Sequence, residues 1–81
     1  MSIYLRVKNP EGVVWEGDVD QISSSNKAGK FDVFDNHANF ISLIQESLVI
    51  KKGGTVDEIK VDNAVLKAKE NKVFVYLGVK K

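Results

Sequence analysis

Short stretches of β-type sequence, separated by turn signals every eight to ten residues, are the feature that most restricts how this chain can fold. Residues 3–8 alternate apolar and polar side chains with a period of two, as a half-buried strand does. Turn sequences follow at Asn9-Pro10-Glu11-Gly12 and at Gly53-Gly54. Short strands at this spacing are typical of all-β sandwiches and barrels. The pattern therefore predicts an all-β protein, a two-sheet β-sandwich of about eight to ten short strands.

Residues 62–71 are the segment in which a helix competes with strands. We predict a turn at Asp62-Asn63, a strand over residues 64–69 and a turn at Glu70-Asn71. Alanine, leucine and lysine also favour a short helix here. Ten residues is close to the lower limit for a helix, and such helices need tertiary support. Because the segments on both sides are β-patterned, the strand is the preferred prediction and the helix the alternative.

Composition restricts the class of protein. A chain of 81 residues indicates a single domain, residues 1–81. The absence of cysteine excludes disulfides and thiolate metal sites. Twelve basic and eleven acidic residues give a net charge of +1, so the chain lacks the excess of positive charge that is typical of nucleic-acid-binding proteins. No apolar stretch approaches the roughly 20 residues of a transmembrane helix, and the N-terminus lacks a signal-peptide pattern. We expect a soluble, intracellular domain that does not bind nucleic acid.

The residue types that carry catalysis are sparse. The single histidine, His37, lies close to Asp35 and Ser42, but the Asp35-Asn36 pair predicts a turn that would separate the members of a catalytic triad. One histidine without cysteine makes a structural zinc site implausible. Residues 51–55, Lys-Lys-Gly-Gly-Thr, lack the order of a phosphate-binding loop and instead predict a hairpin turn. We therefore expect no catalytic residue, no cofactor and no metal site.

Several predicted strands carry apolar residues on both sides. Residues 13–15 are Val-Val-Trp, and residues 73–77 are Val-Phe-Val-Tyr-Leu. A sandwich strand needs only one apolar side, so a second must be covered or exposed as a patch. Two interpretations remain open from the pattern alone: local bulges that redirect side chains, or a sheet face that binds another protein.

The order of motifs along nearly the whole chain resembles the N-terminal domain of the epsilon subunit of bacterial F-type ATP synthases, called delta in mitochondria. The first motif, residues 7–17, joins a strand, a Pro-Glu turn, Trp15 and Gly17. The second, residues 29–41, runs from a glycine through an alternating strand to the pair His37-Ala38 and an apolar segment. The third comprises residues 48–50, 59–61, Leu66 and 71–73. In that family a Pro-Gly pair usually precedes the histidine, where this chain has Asp35-Asn36.

The resemblance implies a ten-stranded β-sandwich bound to the central stalk of the synthase. One sheet face would bind the gamma subunit, and loops at one end would touch the ring of c subunits. The residues then expected at the c-ring end are Ala28, Gly29, Lys30, Asp35, Asn36 and His37. Those expected on the gamma-binding face are the aromatic residues Phe34, Phe40, Phe74 and Tyr76.

The function that the resemblance implies is that of a non-catalytic rotor subunit coupling gamma to the c-ring of a proton- or sodium-translocating synthase. Its location would be the cytoplasmic face of the cell membrane, with membrane contact only through the complex. The C-terminal helical hairpin usual in that family is expected to be absent, because the chain ends at Lys81. The alternative is a free-standing sandwich or barrel module that binds an oligonucleotide or another ligand.

Overall fold

The structure, a computed structural model, describes residues 3–33 and 39–78, and these form seven β-strands joined by turns. No helix long and apolar enough to cross a membrane occurs in this part of the chain. The strands are β1 (Ile3–Asn9), β2 (Gly12–Val19), β3 (Gln21–Asn26), β4 (Gly29–Val33), β5 (Phe40–Lys52), β6 (Thr55–Lys69) and β7 (Lys72–Leu77). The all-β prediction is therefore confirmed.

One continuous ladder of hydrogen-bonded strands, in the order β2-β1-β7-β6-β5-β3-β4, folds over on itself to make two layers. The first half of β5 and the second half of β6 lie in the layer with β7, β1 and β2. Their other halves lie in the layer with β3 and β4. The Asp20 amide donates a hydrogen bond of 2.8 Å to the Lys51 carbonyl, so the end of β2 meets the end of β5 although the ladder separates them.

The strand count differs from the sequence-based prediction because β5 and β6 are unusually long, at 13 and 15 residues. The predicted turn at Asp62-Asn63 is wrong, and so is the alternative helix over residues 62–71, since β6 continues to Lys69. Ile44 pairs with Ala64 and Glu46 with Val61, so the register slips by one residue at this point. Such a bulge bends a strand without ending it. The turns at Gly53-Gly54 and Glu70-Asn71 are confirmed, and all four residues have positive φ.

The core lies between the two layers and is entirely aliphatic apart from one hydroxyl. Alternate residues of β1 turn inward, and the same alternation on the other strands supplies the rest. Ser24 is the single polar side chain among the buried described residues, and its hydroxyl donates to the Ser47 carbonyl at 2.8 Å. The buried apolar residues are Ile3, Leu5, Val7, Val19, Ile22, Val33, Ile44, Leu48, Ile50, Val61, Ala64, Leu66, Ala68, Val73 and Val75.

Two leucines of β5 test this assignment of inner and outer sides. Leu48 is fully buried, whereas Leu43 is 57% exposed. We expect Leu48→Ala to lower the free energy of unfolding by about 2–5 kcal/mol, through lost burial and the cavity left behind. Leu43→Ala should change it by less than about 0.5 kcal/mol. Denaturant unfolding of the two variants makes the comparison, and equal losses would contradict the assignment.

Candidate partner-binding face

The outer side of the β5-β6-β7-β1 layer carries five apolar side chains that lie next to one another across three strands. Leu43 pairs with Val65, which pairs with Tyr76, so the three form a row across the sheet. In the adjacent row Ile41 pairs with Lys67, which pairs with Phe74. We call Ile41, Leu43, Val65, Phe74 and Tyr76 the apolar face. Ile41 is 69% exposed, Leu43 57% and Tyr76 41%, and contiguous exposed apolar surface of this kind is typical of interaction sites.

Cationic side chains lie within the apolar face and beside it. Lys67 lies between Ile41 and Phe74 in the same row, and Lys8 pairs with Tyr76. Arg6 pairs with Phe74 on the other side of that row. Lys69 of β6 and Lys72 of β7, which face each other in the strand register, add two further cations. The acidic residues of this side, Glu16 and Asp18, lie on β2 at the edge of the layer, opposite Arg6 and Tyr4.

The guanidinium of Arg6 is held in a defined position beside the apolar face. Its central carbon lies 5.7 Å from the centre of the Tyr4 ring and 6.0 Å from that of Phe74. The two rings meet edge to face, with their centres 6.5 Å apart. Nε of Arg6 donates to Glu16 Oε2 at 3.0 Å and to the Tyr4 hydroxyl oxygen at 3.2 Å. The positive charge is therefore fixed by an aromatic pair and a carboxylate.

Hydrogen bonding within this cluster shifts the pKa values of its members in opposite directions. The Tyr4 hydroxyl donates to Glu16, and this bond, followed by the one from Arg6, lowers the pKa of the Glu16 carboxyl. The same bond to Glu16 is the main reason that the pKa of Tyr4 is raised. The cluster thus favours the charged form of Glu16 and the neutral form of Tyr4.

The opposite outer side, on β3, β4 and the second half of β5, is polar. A shallow cavity of about 420 Å³ lies there, lined by Ser23, Ser24, Ser25, Lys30, Asp32, Glu46, Ser47, Val49 and Glu58. Two of its serine hydroxyls are used within the fold, since Ser23 donates to Asp32 at 2.6 Å and Ser25 to the Gln45 carbonyl at 2.9 Å. Over residues 3–33 and 39–78, no three acidic or histidine side chains are grouped to hold a metal ion. The two outer sides of the molecule are therefore chemically distinct.

The structure brings together only some of the residues that the resemblance assigned to a gamma-binding face. Phe74 and Tyr76 belong to the apolar face. Phe40 lies on the inner side of β5, where its half-buried ring packs against the core and meets the Phe31 ring edge to face at 6.1 Å. Phe34 is outside the described residues.

Of the six residues expected at the c-ring end, three lie within the described part of the chain. Ala28, Gly29 and Lys30 are exposed around the turn between β3 and β4. The Ala28 amide donates to Asn26 Oδ1 at 2.8 Å, which closes the turn. Asn26 also donates to the Ser42 hydroxyl at 3.1 Å, so this hairpin is attached to the strand that bears Ile41 and Leu43. Asp35, Asn36 and His37 are outside the described residues.

Sequence reasoning missed the aliphatic half of the apolar face and its charged neighbour. Ile41, Leu43 and Val65 lie in continuous apolar segments, residues 40–41, 43–44 and 64–66, and continuous segments place apolar side chains on both sides of a strand. That signal was available. Arg6 carried no signal, because its partner Glu16 is ten residues away and meets it only through the register of β1 and β2.

A sequence profile of the family described as the ATP synthase delta/epsilon chain, β-sandwich domain, matches residues 2–77. The chain belongs to this family. It is 32% identical over 76 residues to the ATP synthase epsilon chain of Campylobacter fetus, which covers 91% of this chain and 59% of that protein. It is 28% identical over 75 residues to the epsilon chain of Halalkalibacterium halodurans, covering 91% and 56%. The chain thus spans somewhat more than half the length of these ATP synthase epsilon relatives.

Solved ATP synthase structures contain the same fold. A chain in the cryo-EM structure of the Euglena gracilis mitochondrial ATP synthase, comprising OSCP, F1 and c-ring, matches with a TM-score of 0.87 at 15% identity, over 94% of this chain and 50% of that one. The central stalk and c-ring structure of the Tetrahymena thermophila mitochondrial enzyme matches with a TM-score of 0.78 at 7% identity, over 95% and 63%. At these identities the likeness concerns the fold. It agrees with the β-sandwich assigned to the delta/epsilon family.

The titration of Glu16 tests the geometry of the charged cluster in this delta/epsilon-type domain. We expect its carboxyl to titrate below the usual range for glutamate, and Tyr4→Phe to move the midpoint upward, because the hydrogen bond from Tyr4 is the largest cause. Because the pKa of Glu16 is lower in the folded state, its ionised carboxyl stabilises that state at pH values above the unfolded-state pKa. This stabilisation is lost as the pH falls through the folded-state pKa. Carbon-13 NMR of the glutamate carboxyls measures the midpoints, and an ordinary value in the unmodified protein would contradict the cluster.

Proposed function

We propose that this protein is a non-catalytic subunit of the central stalk, or rotor, of a proton- or sodium-translocating F-type ATP synthase, where it couples the gamma subunit to the c-ring. Its family and the names of its relatives support this assignment. It would then reside at the cytoplasmic face of the cell membrane and touch the membrane only through the complex. The alternative from the sequence, a free-standing ligand-binding module, lacks a comparable supporting observation.

The observation that carries the proposal is the apolar face. Three aliphatic and two aromatic side chains lie together on one side of the sheet, and Ile41, Leu43 and Tyr76 among them are exposed. Interfaces between proteins characteristically have an apolar centre with a polar surround, and this side has both. In a rotor subunit the gamma subunit would cover the apolar face, and burial of that surface would hold the two together.

The hairpin at Ala28, Gly29 and Lys30 is proposed to touch the c-ring, together with Asp35, Asn36 and His37. Asn26 attaches the hairpin to Ser42 of β5, next to Ile41 and Leu43 of the apolar face. A load applied at the hairpin would therefore reach β5, the strand that bears Ile41 and Leu43, through this hydrogen bond and the pairing of β3 with β5. This arrangement suits a part that transmits torque and performs no chemistry of its own.

Leu43→Glu tests the gamma-binding role of the apolar face, with Val56→Glu as the matched control. Leu43 and Val56 are both exposed on strands, at 57% and 60%, but Val56 lies on the first half of β6, away from the apolar face. Burying a leucine contributes about 1.5–3 kcal/mol, so we expect Leu43→Glu to weaken binding to the gamma subunit of the same organism at least about 10-fold. Val56→Glu should bind normally.

Isothermal titration calorimetry with purified gamma subunit measures both variants, after circular dichroism has shown that each is folded. The complex with gamma is then offered to detergent-solubilised c-ring, with Lys30→Glu as the hairpin variant. Failure of the folded, unmodified protein to bind gamma would overturn the proposed function. Normal gamma binding by Leu43→Glu would instead show that another surface is used.

A further inference from the structure

The charges in and around the apolar face are unbalanced: Lys67 lies within it, between Ile41 and Phe74, and Arg6 borders it beside Phe74. On β1, on β7 and on residues 64–69 of β6, the charged residues are all cations, Arg6, Lys8, Lys67, Lys69 and Lys72. The two acidic residues, Glu16 and Asp18, are confined to the edge strand β2. A partner lying over β5, β6 and β7 therefore meets apolar side chains with Lys67 among them and further cations along the β7 and β1 side.

The guanidinium of Arg6 still has donors to offer. Its Nε is used by Glu16 and Tyr4, but its two terminal nitrogens donate no hydrogen bond to any side chain or backbone group of residues 3–33 and 39–78. The Tyr4 and Phe74 rings fix its position, so little conformational entropy is lost when a second anion binds. Arginine in this arrangement takes a carboxylate through two parallel hydrogen bonds.

We infer that the partner segment covering the apolar face is an apolar stretch flanked by acidic side chains, with one carboxylate bound by Arg6 and others opposite Lys8 and Lys67. This rests on the proposed function, in which that segment belongs to the gamma subunit. The charges would orient the segment and reject partners of the wrong charge, while the apolar side chains would supply most of the affinity.

A nucleic acid is the other anionic partner that aromatic rings and cations could attract. The side chains that decide against it are Ile41, Leu43 and Val65, which make up most of the apolar face and are aliphatic. Bases bind single-stranded nucleic-acid proteins mainly by stacking on aromatic rings, which branched aliphatic side chains do not offer. An apolar polypeptide segment fills such a surface well.

The experiment measures binding to the gamma subunit at 50 and 500 mM NaCl for the unmodified protein, Arg6→Gln, Arg6→Lys and Lys67→Gln. Lys60→Gln is the matched control, because Lys60 is exposed on β6 outside this layer. We expect about 10-fold weaker binding by the unmodified protein at the higher salt concentration, since salt screens charge pairs. At low salt Arg6→Gln should bind about 10-fold more weakly, Arg6→Lys should be intermediate, and Lys60→Gln should be unchanged.

The outcomes separate this inference from the proposed function. Tight gamma binding that Leu43→Glu abolishes, but that salt, Arg6→Gln and Lys67→Gln leave unchanged, would overturn the inference and keep the function. No gamma binding at all would overturn both. Tighter binding to a single-stranded oligonucleotide than to gamma would overturn the inference, because it would indicate that the partner of this face is a nucleic acid and not an acidic polypeptide segment. If Arg6→Gln fails to fold, Lys67→Gln carries the test, because Lys67 lies outside the Tyr4-Arg6-Glu16 cluster.

Discussion

The long strands β5 and β6 run through both layers of the molecule. A bulge in their pairing bends both strands, and this bend allows one continuous sheet to fold around a core. Gln45 faces two residues of β6, Asp62 and Asn63, between the pairs Ile44–Ala64 and Glu46–Val61. Glu46 adopts a left-handed φ of 73° beside the slip. The bulge redirects both strands, so that side chains from their two halves meet in the same aliphatic core. Every other strand is placed by pairing outward from this ladder.

The same fold-over determines why the two outer sides differ. In one layer β5 and β6 contribute Ile41, Leu43 and Val65 to the outside. In the other layer the outside carries mainly serines and charged residues, with the valines Val49 and Val56. The hydroxyls of Ser23 and Ser25 fasten β3 to its neighbours there. Core stability requires only one apolar side of each layer. The second apolar side of the first layer has no role in the isolated fold, which is why we assign it to binding.

Much of the fold was predictable because period-two alternation and turn chemistry are local properties. The strand of residues 3–8, the Gly53-Gly54 hairpin and the Glu70-Asn71 turn were each correctly predicted. The predicted turn at Asp62-Asn63 is a bulge within β6. These residues are of turn type, and only the pairing of β6 with β5 keeps the backbone extended there. Phe74 and Tyr76 lie on the apolar face, and their role in binding gamma stays a prediction. The Arg6–Glu16 pair has no local sequence signal, because strand register brings those residues together.

Methyl-resolved NMR of the protein bound to the gamma subunit tests the central claim, that the apolar face is the interface, most directly. Methyl groups of Ile41, Leu43 and Val65 lie on the apolar face and those of Val49 and Val56 on the opposite outer side, so one spectrum compares the two surfaces. The account predicts that gamma shifts or broadens the signals of Ile41, Leu43 and Val65 and leaves those of Val49 and Val56 unchanged. Perturbation of Val49 and Val56, with Ile41 and Leu43 unaffected, would contradict it.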